Sequence, residues 1–392
     1  MCGMAFVFHC SDREKAVTES LLGGTLEVRT RSGLHPAEAA LIAQLPGLLP
    51  RVPKNGKIIV CQTRTGATAA ALRMLAPEAA LTLHTYDAHH AQNLGRNLRA
   101  GTPLLPPPAV VCSAWLPEET FDAAFLLVTG RALSNEMTRD LLQNLRQRLA
   151  PGAPLFAAFD TPLETARGFI AASFGKPSVK LLSPKGDPVH LASVLCPAGA
   201  LKREKDFSAA FSASLPGVPA FALTTWPGVF AHRRPDEGGL ALAETAAALL
   251  KPGERLLDIG CGCGMVGIAL ALASPAPSHV TFLDAHARAV FAAAHNARVN
   301  RLPSFDTVLD TAARFTPAKR GHTLALANPP YFSDYKIAGD FIELARRSLV
   351  PGGRLLIVTQ QTEFYDETLP PLFKRVETLR RRGYALFLAT QP

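Results

Sequence analysis

The segment Asn328-Pro329-Pro330-Tyr331 combines residue types that could hold a flat amine. It follows a short apolar run, Leu324–Ala327, which predicts a buried strand that the two prolines end. Because proline disfavours a helical conformation in the residue before it, we expect Asn328 to be extended at the carboxyl end of that strand. The Asn328 amide and the Pro329 carbonyl then supply two hydrogen-bond acceptors, and Tyr331 supplies an aromatic face. The alternative is a proline turn that only ends a strand.

A glycine-rich turn is the second stretch that could bind a ligand. It follows the apolar run that ends at Asp258, and it carries Gly260, Gly262 and Gly264. Glycines at alternate positions allow a tight turn and let backbone N–H groups approach a ligand without a clash at Cβ. Asp284 ends the next apolar run, where its carboxylate could accept hydrogen bonds from both hydroxyls of a ribose. These residues predict a site for a nucleotide-like cofactor.

The spacing and charge of this turn favour a cofactor with a positive end. A dinucleotide site has the pattern G-x-G-x-x-G, whereas this turn reads Gly-x-Gly-x-Gly after an aspartate. The Asp258 carboxylate would repel a pyrophosphate, but it suits the sulfonium and ammonium groups of S-adenosylmethionine. Asp310, which follows the run 307–309, could reach the adenine amine of that cofactor or could only cap a turn. Cys261 and Cys263 have no second cysteine pair or histidine cluster near them in the sequence, so no metal site is predicted.

Composition places the chain among globular proteins. The 392 residues are 48% hydrophobic and 19% charged, and the length favours two domains. The net charge of +9 suggests nucleic acid as a partner, although solubility alone could explain it. Seven scattered cysteines argue against a disulfide framework, no 18-residue apolar run is present, and the first residues lack the basic region of a signal peptide. We therefore expect a cytoplasmic protein without a membrane span, and we expect a monomer.

Strands and helices are predicted to alternate along the chain, which indicates a parallel sheet with helices on its faces. The same plan occurs twice, about two hundred residues apart. Four pairs of segments match in the same order: Lys57–Cys61 with Glu254–Asp258, Thr82–Asp87 with Val280–Asp284, Phe125–Leu133 with Leu324–Phe332, and Leu149–Leu155 with Leu349–Leu355. We therefore predict two tandem Rossmann-like α/β domains, at residues 1–197 and 220–392, joined by a linker at 198–219.

The two copies differ where chemistry is expected. The first copy has Cys61-Gln62-Thr63-Arg64-Thr65-Gly66 in place of the glycine turn, and Thr129-Gly130-Arg131-Ala132 in place of the Asn328 segment. The apolar strands remain, whereas most of the glycines and the acceptor side chains are absent. The first domain is therefore predicted to be a degenerate copy that has kept the fold and lost the activity.

Together, the segments 258–264 and 328–331 resemble those of class I S-adenosylmethionine-dependent methyltransferases that act on amino or amide nitrogen. The segments 226–230 (Trp-Pro-Gly-Val-Phe) and 236–238 (Asp-Glu-Gly), together with a degenerate first copy, resemble the bacterial ribosomal RNA guanine-N2 methyltransferases of the small and large subunits. The resemblance implies that the second domain binds S-adenosylmethionine and the target guanine. It also implies that the first domain supports folding and RNA binding, and that ribosomal RNA, free or in a ribosomal particle, is the partner.

This resemblance and the chemistry of an amine together predict roles for the Asn328 segment. The lone pair of guanine N2 is delocalised into the ring, so this nitrogen is a poor nucleophile. Asn328 Oδ1 and the Pro329 carbonyl are expected to accept hydrogen bonds from its two N–H groups and to stabilise the positive charge that grows on the nitrogen. Pro330 is expected to keep the turn rigid, and Tyr331 to stack on the base. Phe230 is a candidate wall for the adenosine of the cofactor, with a core role as the alternative.

Three other functions are compatible with these residues. Tyr331, where the ribosomal relatives often have phenylalanine, is also usual in glutamine-N5 protein methyltransferases and in adenine-N6 nucleic-acid methyltransferases. The duplicated basic architecture argues against a protein substrate. A non-catalytic RNA-binding assembly factor is the third alternative, and for the second domain the glycine turn and the Asn-Pro-Pro-Tyr segment argue against it.

Overall fold

The computed structural model of the chain describes residues 6–9, 17–30, 33–101, 108–129, 133–175, 180–181, 188–201, 204–317, 321–330 and 334–392. The chain divides into two compact units, Met1–Phe207 and Ser208–Pro392. This division lies inside the segment 198–219 that the sequence predicts as a linker. Part of that segment, Ala209–Leu215, is a strand of the second unit.

The first unit contains a small three-stranded sheet and a larger seven-stranded sheet within its described ranges. Its strands are β1 (Phe6–His9), β2 (Val17–Leu21), β3 (Leu26–Thr30), β4 (Lys57–Cys61), β5 (Ala80–Thr85), β6 (Ala109–Cys112), β7 (Ala123–Val128), β8 (Pro154–Phe159), β9 (Lys180–Leu181) and β10 (His190–Leu195). Its helices are α1 (Pro36–Leu48), α2 (Ala67–Leu75), α3 (Ala88–Gly101), α4 (Asn135–Arg148) and α5 (Leu163–Phe174). The strand order in the larger sheet is β6-β5-β4-β7-β8-β10-β9, and β10 is antiparallel to both of its neighbours.

The second unit repeats this plan after an antiparallel hairpin, β11 (Ala209–Leu215) and β12 (Val218–Thr225). Its sheet contains β13 (Arg255–Ile259), β14 (His279–Asp284), β15 (Phe305–Leu309), β16 (His322–Ala327), β17 (Leu349–Thr359), β18 (Arg375–Arg381) and β19 (Tyr384–Thr390). Its helices are α6 (Glu237–Leu249), α7 (Met265–Ala271), α8 (Ala287–Val299), α9 (Lys336–Ser348) and α10 (Glu363–Thr368). The strand order, β15-β14-β13-β16-β17-β19-β18, is the order of the first unit's larger sheet.

Both large sheets are buried on their two faces. Leu256 and Leu257 are successive residues of β13, both have 0% exposure, and they lie in different apolar clusters. Because side chains alternate along a strand, each cluster covers one face of the sheet. Ile58 and Ile59 of β4 divide between two clusters in the same way. The near-continuous apolar runs are therefore the central strands of two Rossmann-like domains, and the predicted fold class is confirmed.

The strand register corrects one of the matches between the copies. The last residue of β13 pairs with Ala327 of β16, and the last residue of β4 pairs with Leu126 of β7. The residues that follow, Asn328 and Leu127, therefore occupy equivalent places. The match of Asn328 with Thr129 is wrong by two residues, because the sequence comparison aligned the ends of apolar runs without knowing the strand pairing.

A second match between the copies, at the aspartates, is also wrong. Asp284 is the last residue of β14, and the last residue of β5 is Thr85. Asp87 lies beyond β5, and its Oδ1 accepts a hydrogen bond of 2.9 Å from the backbone N–H of His90 in the first turn of α3. Asp87 is thus a helix cap, a common role for aspartate, and the first unit has no carboxylate at the position of Asp284.

Candidate active site

The predicted site residues lie at the carboxyl ends of neighbouring strands, where the order of the sheet reverses. β13 lies between β14 and β16, and the chain crosses from one side of the sheet to the other between β15 and β16. In an open parallel sheet, such a switch point leaves a crevice in which ligands bind. The glycine turn follows β13, and Asn328 follows β16, so the two predicted motifs lie side by side at this crevice.

The glycine turn has backbone φ angles that residues with a side chain rarely adopt. Gly260, Gly262 and Gly264 have φ angles of +70°, +54° and +82°. A Cβ on Gly260 would lie 2.8 Å from the ring of Phe341, so the turn passes tightly over α9. A Cβ on Gly262 would meet no atom within 4 Å, so this residue faces open space. The turn is therefore closed towards the core and open towards a ligand.

Asp284 is held against this turn by two backbone donors. Its Oδ2 accepts a hydrogen bond of 2.9 Å from the N–H of Gly262, and its Oδ1 accepts one of 2.8 Å from the N–H of His286. An ionised carboxylate offers about four lone-pair sites, so it can accept from further donors. Asp284 thus lies at the end of β14 against the glycine turn, and its contact with a ribose stays a prediction.

Asp258 is buried beneath the turn, with 3% exposure. Its Oδ2 accepts a hydrogen bond of 3.1 Å from the N–H of Gly267 in α7. Burial raises the pKa of this carboxyl to about 7, and the charge of Asp284 also raises it, while the Gly267 hydrogen bond opposes both effects. A cation bound nearby would stabilise the ionised form of Asp258, which agrees with a ligand that has a positive end.

Asn328 is half-buried, and one hydrogen bond sets its orientation. Its Nδ2 donates to Oδ2 of Asp236 over 2.7 Å, and the same carboxylate oxygen accepts from the N–H of Gly239 over 2.6 Å. Asp236 is the N-cap residue of α6, so its own position is set by the start of that helix. The amide nitrogen of Asn328 is bound to Asp236, and within the described residues the amide oxygen has no hydrogen-bond donor, so it remains able to accept one.

Asp236 was not predicted as a site residue, although it lies in the segment 236–238 that resembles the ribosomal RNA methyltransferases. The available signal was local, since an aspartate three residues before a glycine at the start of an apolar helical stretch is typical of an N-cap. Nothing local shows that the same oxygen holds an amide 92 positions further along the chain.

A buried asparagine, Asn296 of α8, was also missed. It has 0% exposure and connects the glycine turn to β12. Its Nδ2 donates to the carbonyl oxygens of Cys263 and Thr224 over 2.9 Å each, and its Oδ1 accepts from the N–H of Thr224 over 2.8 Å. Arg288, also in α8, donates to the carbonyl of Pro227 over 2.9 Å. These bonds fix the start of the segment that leads from β12 to Asp236.

The remaining predicted site residues differ in their exposure and in the contacts that the structure gives them. Phe230 is 70% exposed, so the alternative of a core role is wrong, and its contact with adenosine stays a prediction. Asp310 Oδ1 accepts a hydrogen bond of 2.7 Å from the N–H of the adjacent Thr311. Its role as a turn cap and its contact with adenine both stay predictions. Pro329 is buried and Pro330 half-buried, whereas Tyr331 lies outside the described residues.

The two cysteines of the turn are buried thiols. Cys261 and Cys263 are each 8% exposed, and burial raises the pKa of Cys263 to about 12. Within the described ranges, no group of three or more histidine, cysteine, aspartate or glutamate side chains could hold a metal ion. In the same part of the chain, none of the helices is long and apolar enough to span a membrane.

Comparison with known proteins assigns the chain to a family. Residues 220–387 match the family model of the methyltransferase small domain. Ribosomal RNA small subunit methyltransferase C of Pseudomonas aeruginosa (strain LESB58) is 34% identical over 251 residues, which are 62% of this chain and 70% of that relative. The protein of the same name from Stutzerimonas stutzeri (strain A1501) is 30% identical over 286 residues, 70% of this chain and 81% of that relative. The chain belongs to the ribosomal RNA small subunit methyltransferase C family.

Membership of the ribosomal RNA small subunit methyltransferase C family confirms the resemblance found in the motifs. A solved structure of a T. thermophilus 16S rRNA guanine-N2 methyltransferase, in complex with AdoMet and guanosine, matches with a TM-score of 0.71. The match covers 96% of this chain and 98% of that chain at 19% identity, so it shows a shared fold. The glycine turn, the aspartates and Asn328 all lie inside the segment that matches the methyltransferase small domain.

Proposed function

We propose that the second unit transfers a methyl group from S-adenosylmethionine to the exocyclic N2 amine of a guanine in small-subunit ribosomal RNA. Family membership supports the reaction class and the RNA substrate, and the T. thermophilus structure that holds AdoMet and guanosine shares the fold. One observation carries the assignment of the site: the Asn328 amide, oriented by Asp236, lies beside the glycine turn at the switch point of the sheet.

Asn328 and Pro329 prepare the target nitrogen for attack. The Oδ1 of Asn328 and the carbonyl of Pro329 accept hydrogen bonds from the two N–H groups of guanine N2, which favours a pyramidal nitrogen with its lone pair directed away from the ring. When bound, S-adenosylmethionine supplies an electrophilic methyl group on its sulfonium. As the N–C bond forms and the S–C bond breaks, positive charge grows on the nitrogen and both acceptors stabilise it. The product nitrogen then loses a proton to solvent, so no strong base is required.

Alignment of the two reactants accounts for much of the remaining acceleration. Pro330 restricts the backbone after Pro329. Tyr331 stacks on the guanine after the base leaves its helix or loop, a contact worth about 1–3 kcal/mol.

Four residues of the second unit hold the cofactor in this proposal. Asp284 accepts hydrogen bonds from the ribose hydroxyls, and Asp258 is kept ionised by the positive methionine end. Asp310 accepts from the adenine amine, and the exposed ring of Phe230 covers the adenosine. The cofactor lies against the backbone of the glycine turn, where no protein atom is within 4 Å of the Cβ position of Gly262.

The proposed partner is ribosomal RNA, and the proposed location is the cytoplasm, where ribosomes assemble. The net charge of +9 favours association with a polyanion. We propose that the first domain, residues 1–197, supports folding and binds RNA, and that residues 220–392 carry the activity. Residues 198–219 link the two domains in this proposal, and the protein acts as a monomer.

Mass spectrometry of nucleosides tests the proposal. The full chain is incubated with S-adenosylmethionine and either purified 16S ribosomal RNA or small subunits from a strain that lacks the methyltransferase, and the RNA is digested. N2-methylguanosine is the expected product in one of these substrates. N6-methyladenosine as the product, or methylation of ribosomal protein glutamine in place of RNA, would overturn the proposal.

A further inference from the structure

The first unit has a cavity of about 500 Å³ at the carboxyl edge of its large sheet. A cavity of this volume can hold a nucleotide-sized ligand. It lies beyond the ends of β4 and β7, which correspond to β13 and β16, so its place in the fold is that of the active site in the second unit. The side chains that matter for its chemistry are those of Leu34, His35, Gln62, Arg64, Leu127 and Thr129.

The cavity lacks the groups that suit S-adenosylmethionine. By strand register, Val60 stands at the position of Asp258, so the match of Lys57–Cys61 with Glu254–Asp258 is wrong by one residue. Thr85 stands at the position of Asp284. No carboxylate is therefore present at these two positions to hold a ribose or a cationic methionine end. At the third position Leu127 replaces the amide acceptor, so the wall of the cavity at this position is apolar.

Arg64 adds a positive charge at the rim. The helices α2 and α7 both begin after a glycine in the left-handed conformation, Gly66 and Gly264, and counting back from these places Arg64 at the position of Gly262. Arg64 is exposed, and within the described part of the chain no carboxylate lies within ion-pair distance of its guanidinium. An arginine in this situation is suited to a phosphate, to which it can donate two parallel hydrogen bonds.

Carboxylates beside the cavity are engaged within the protein: Asp160 Oδ2 lies 3.4 Å from His35 Nε2, and Glu19 Oε1 accepts a hydrogen bond of 2.6 Å from the N–H of Leu34. Glu38 lines the cavity itself. Glu38 has 2% exposure, and its Oε1 accepts from the hydroxyls of Thr63 (2.6 Å) and Thr68 (3.1 Å) and from the N–H of Thr68 (3.3 Å). Its Oε2 accepts from the hydroxyl of Thr65 over 3.0 Å. Glu38 therefore occupies the amino end of α2, and it leaves the rim at Arg64 as the place for an anion.

Gln62 supplies a polar group that the protein itself does not satisfy. It lines the cavity, and its buried Nε2 has no hydrogen-bond partner. A buried donor without a partner is uncommon. Because Gln62 Nε2 is enclosed, an acceptor of the ligand reaches it only when the Gln62 side chain turns towards the cavity. Leu34 and Leu127 are apolar neighbours that suit the face of a base.

We infer that this cavity binds a nucleotide, with the phosphate on Arg64, the base against Leu34 and Leu127, and a base acceptor on Gln62 Nε2. The site is separate from the methyl-transfer site and does not depend on its activity. The same chemistry is offered by a nucleotide within RNA and by a free nucleoside monophosphate.

Calorimetry of the full chain, saturated with S-adenosylhomocysteine, tests this inference with AMP, CMP, GMP and UMP as probes. Arg64→Glu should weaken nucleotide binding at least tenfold, whereas Arg96→Glu, the same charge change on the exposed face of α3 in the same unit, should leave it unchanged. Gln62→Gly is the second variant, since φ at this residue is +64° and glycine adopts it without strain, and it should weaken binding several-fold. The cofactor should bind with one site per chain in all variants.

The opposite results would overturn the inference. These are no nucleotide binding by the unaltered chain, an equal loss in Arg64→Glu and Arg96→Glu, or two cofactor sites per chain. A five-nucleotide single-stranded RNA distinguishes the sources: binding at least tenfold tighter than the monophosphates assigns the site to RNA, and equal binding assigns it to free nucleotide. Calorimetry with the monophosphates measures nucleotide binding without methyl transfer, so failure of the second unit to methylate RNA would not be confused with failure of the cavity to bind.

Discussion

Asp236 is expected to act on catalysis through Asn328, and this role can be separated from its role as a helix cap. Asp236 Oδ2 accepts from Gly239 N–H and from Asn328 Nδ2. Loss of an N-cap costs about 1 kcal/mol of stability. Loss of a hydrogen bond to a charged group costs about 1.5–3 kcal/mol, which corresponds to about a 10- to 150-fold lower rate if the oriented amide is needed only in the transition state.

Asp236→Ser makes the separation, because serine caps helices about as well as aspartate but its shorter side chain does not reach the Asn328 amide. We expect its free energy of unfolding to stay within about 0.5 kcal/mol of the unaltered protein, with the affinity for S-adenosylmethionine unchanged and kcat reduced by the factor above. Asp236→Ala is the matched comparison, and it should lose both stability and rate. The assays are urea unfolding, calorimetry and methyl transfer to RNA. A normal kcat for Asp236→Ser would show that Asp236 is only a cap.

Three further predictions concern the cofactor side of the site. Asp284→Ala should weaken the affinity for S-adenosylmethionine about 10- to 100-fold, because hydrogen bonds to a charged group are lost, and an unchanged dissociation constant would remove Asp284 from the ribose site. Gly260→Ala should destabilise the second unit by roughly 2–4 kcal/mol, since its Cβ would lie 2.8 Å from the Phe341 ring at a φ of +70°. Gly262→Ala faces open space and should cost roughly 1 kcal/mol in urea unfolding, so equal losses for the two variants would contradict the described packing. Burial raises the pKa of Asp258 from 3.8 to about 7, so between these values the folded chain holds a proton that the unfolded chain has lost. Thermal stability without cofactor should therefore fall as the pH rises through this range, and cofactor affinity should rise from pH 6 to 8 as Asp258 ionises, whereas a flat affinity profile would separate Asp258 from the cofactor.

The parts of the fold and site that could be predicted from sequence are those with a local physical cause. Leu256 and Leu257 lie in a short apolar run that ends at a glycine turn, a pattern typical of a strand buried on both faces. The glycines after Asp258 mark a turn with positive φ. Asn328 could be placed at a strand end because the prolines that follow it restrict the backbone.

The parts that could not be predicted depend on partners distant in the chain. The hydrogen bond between Asp236 and Asn328 joins residues 92 positions apart, and neither residue type specifies the other. The match of Asp87 with Asp284 failed for a similar reason: both are aspartates after an apolar run, but pairing between strands, and not residue type, decides which residue ends a strand. The cavity of the first unit was missed because the loss of glycines and carboxylates was interpreted only as lost activity.

In the proposed mechanism, the Asn328 amide oxygen accepts a hydrogen bond from the target amine during methyl transfer. The most direct test is the single-turnover rate of methyl transfer by Asn328→Ala, with the enzyme saturated with S-adenosylmethionine and the RNA in excess. We expect a rate about 10²- to 10³-fold lower than that of the unaltered protein, with an unchanged dissociation constant for the cofactor. A rate near that of the unaltered protein would contradict this mechanism.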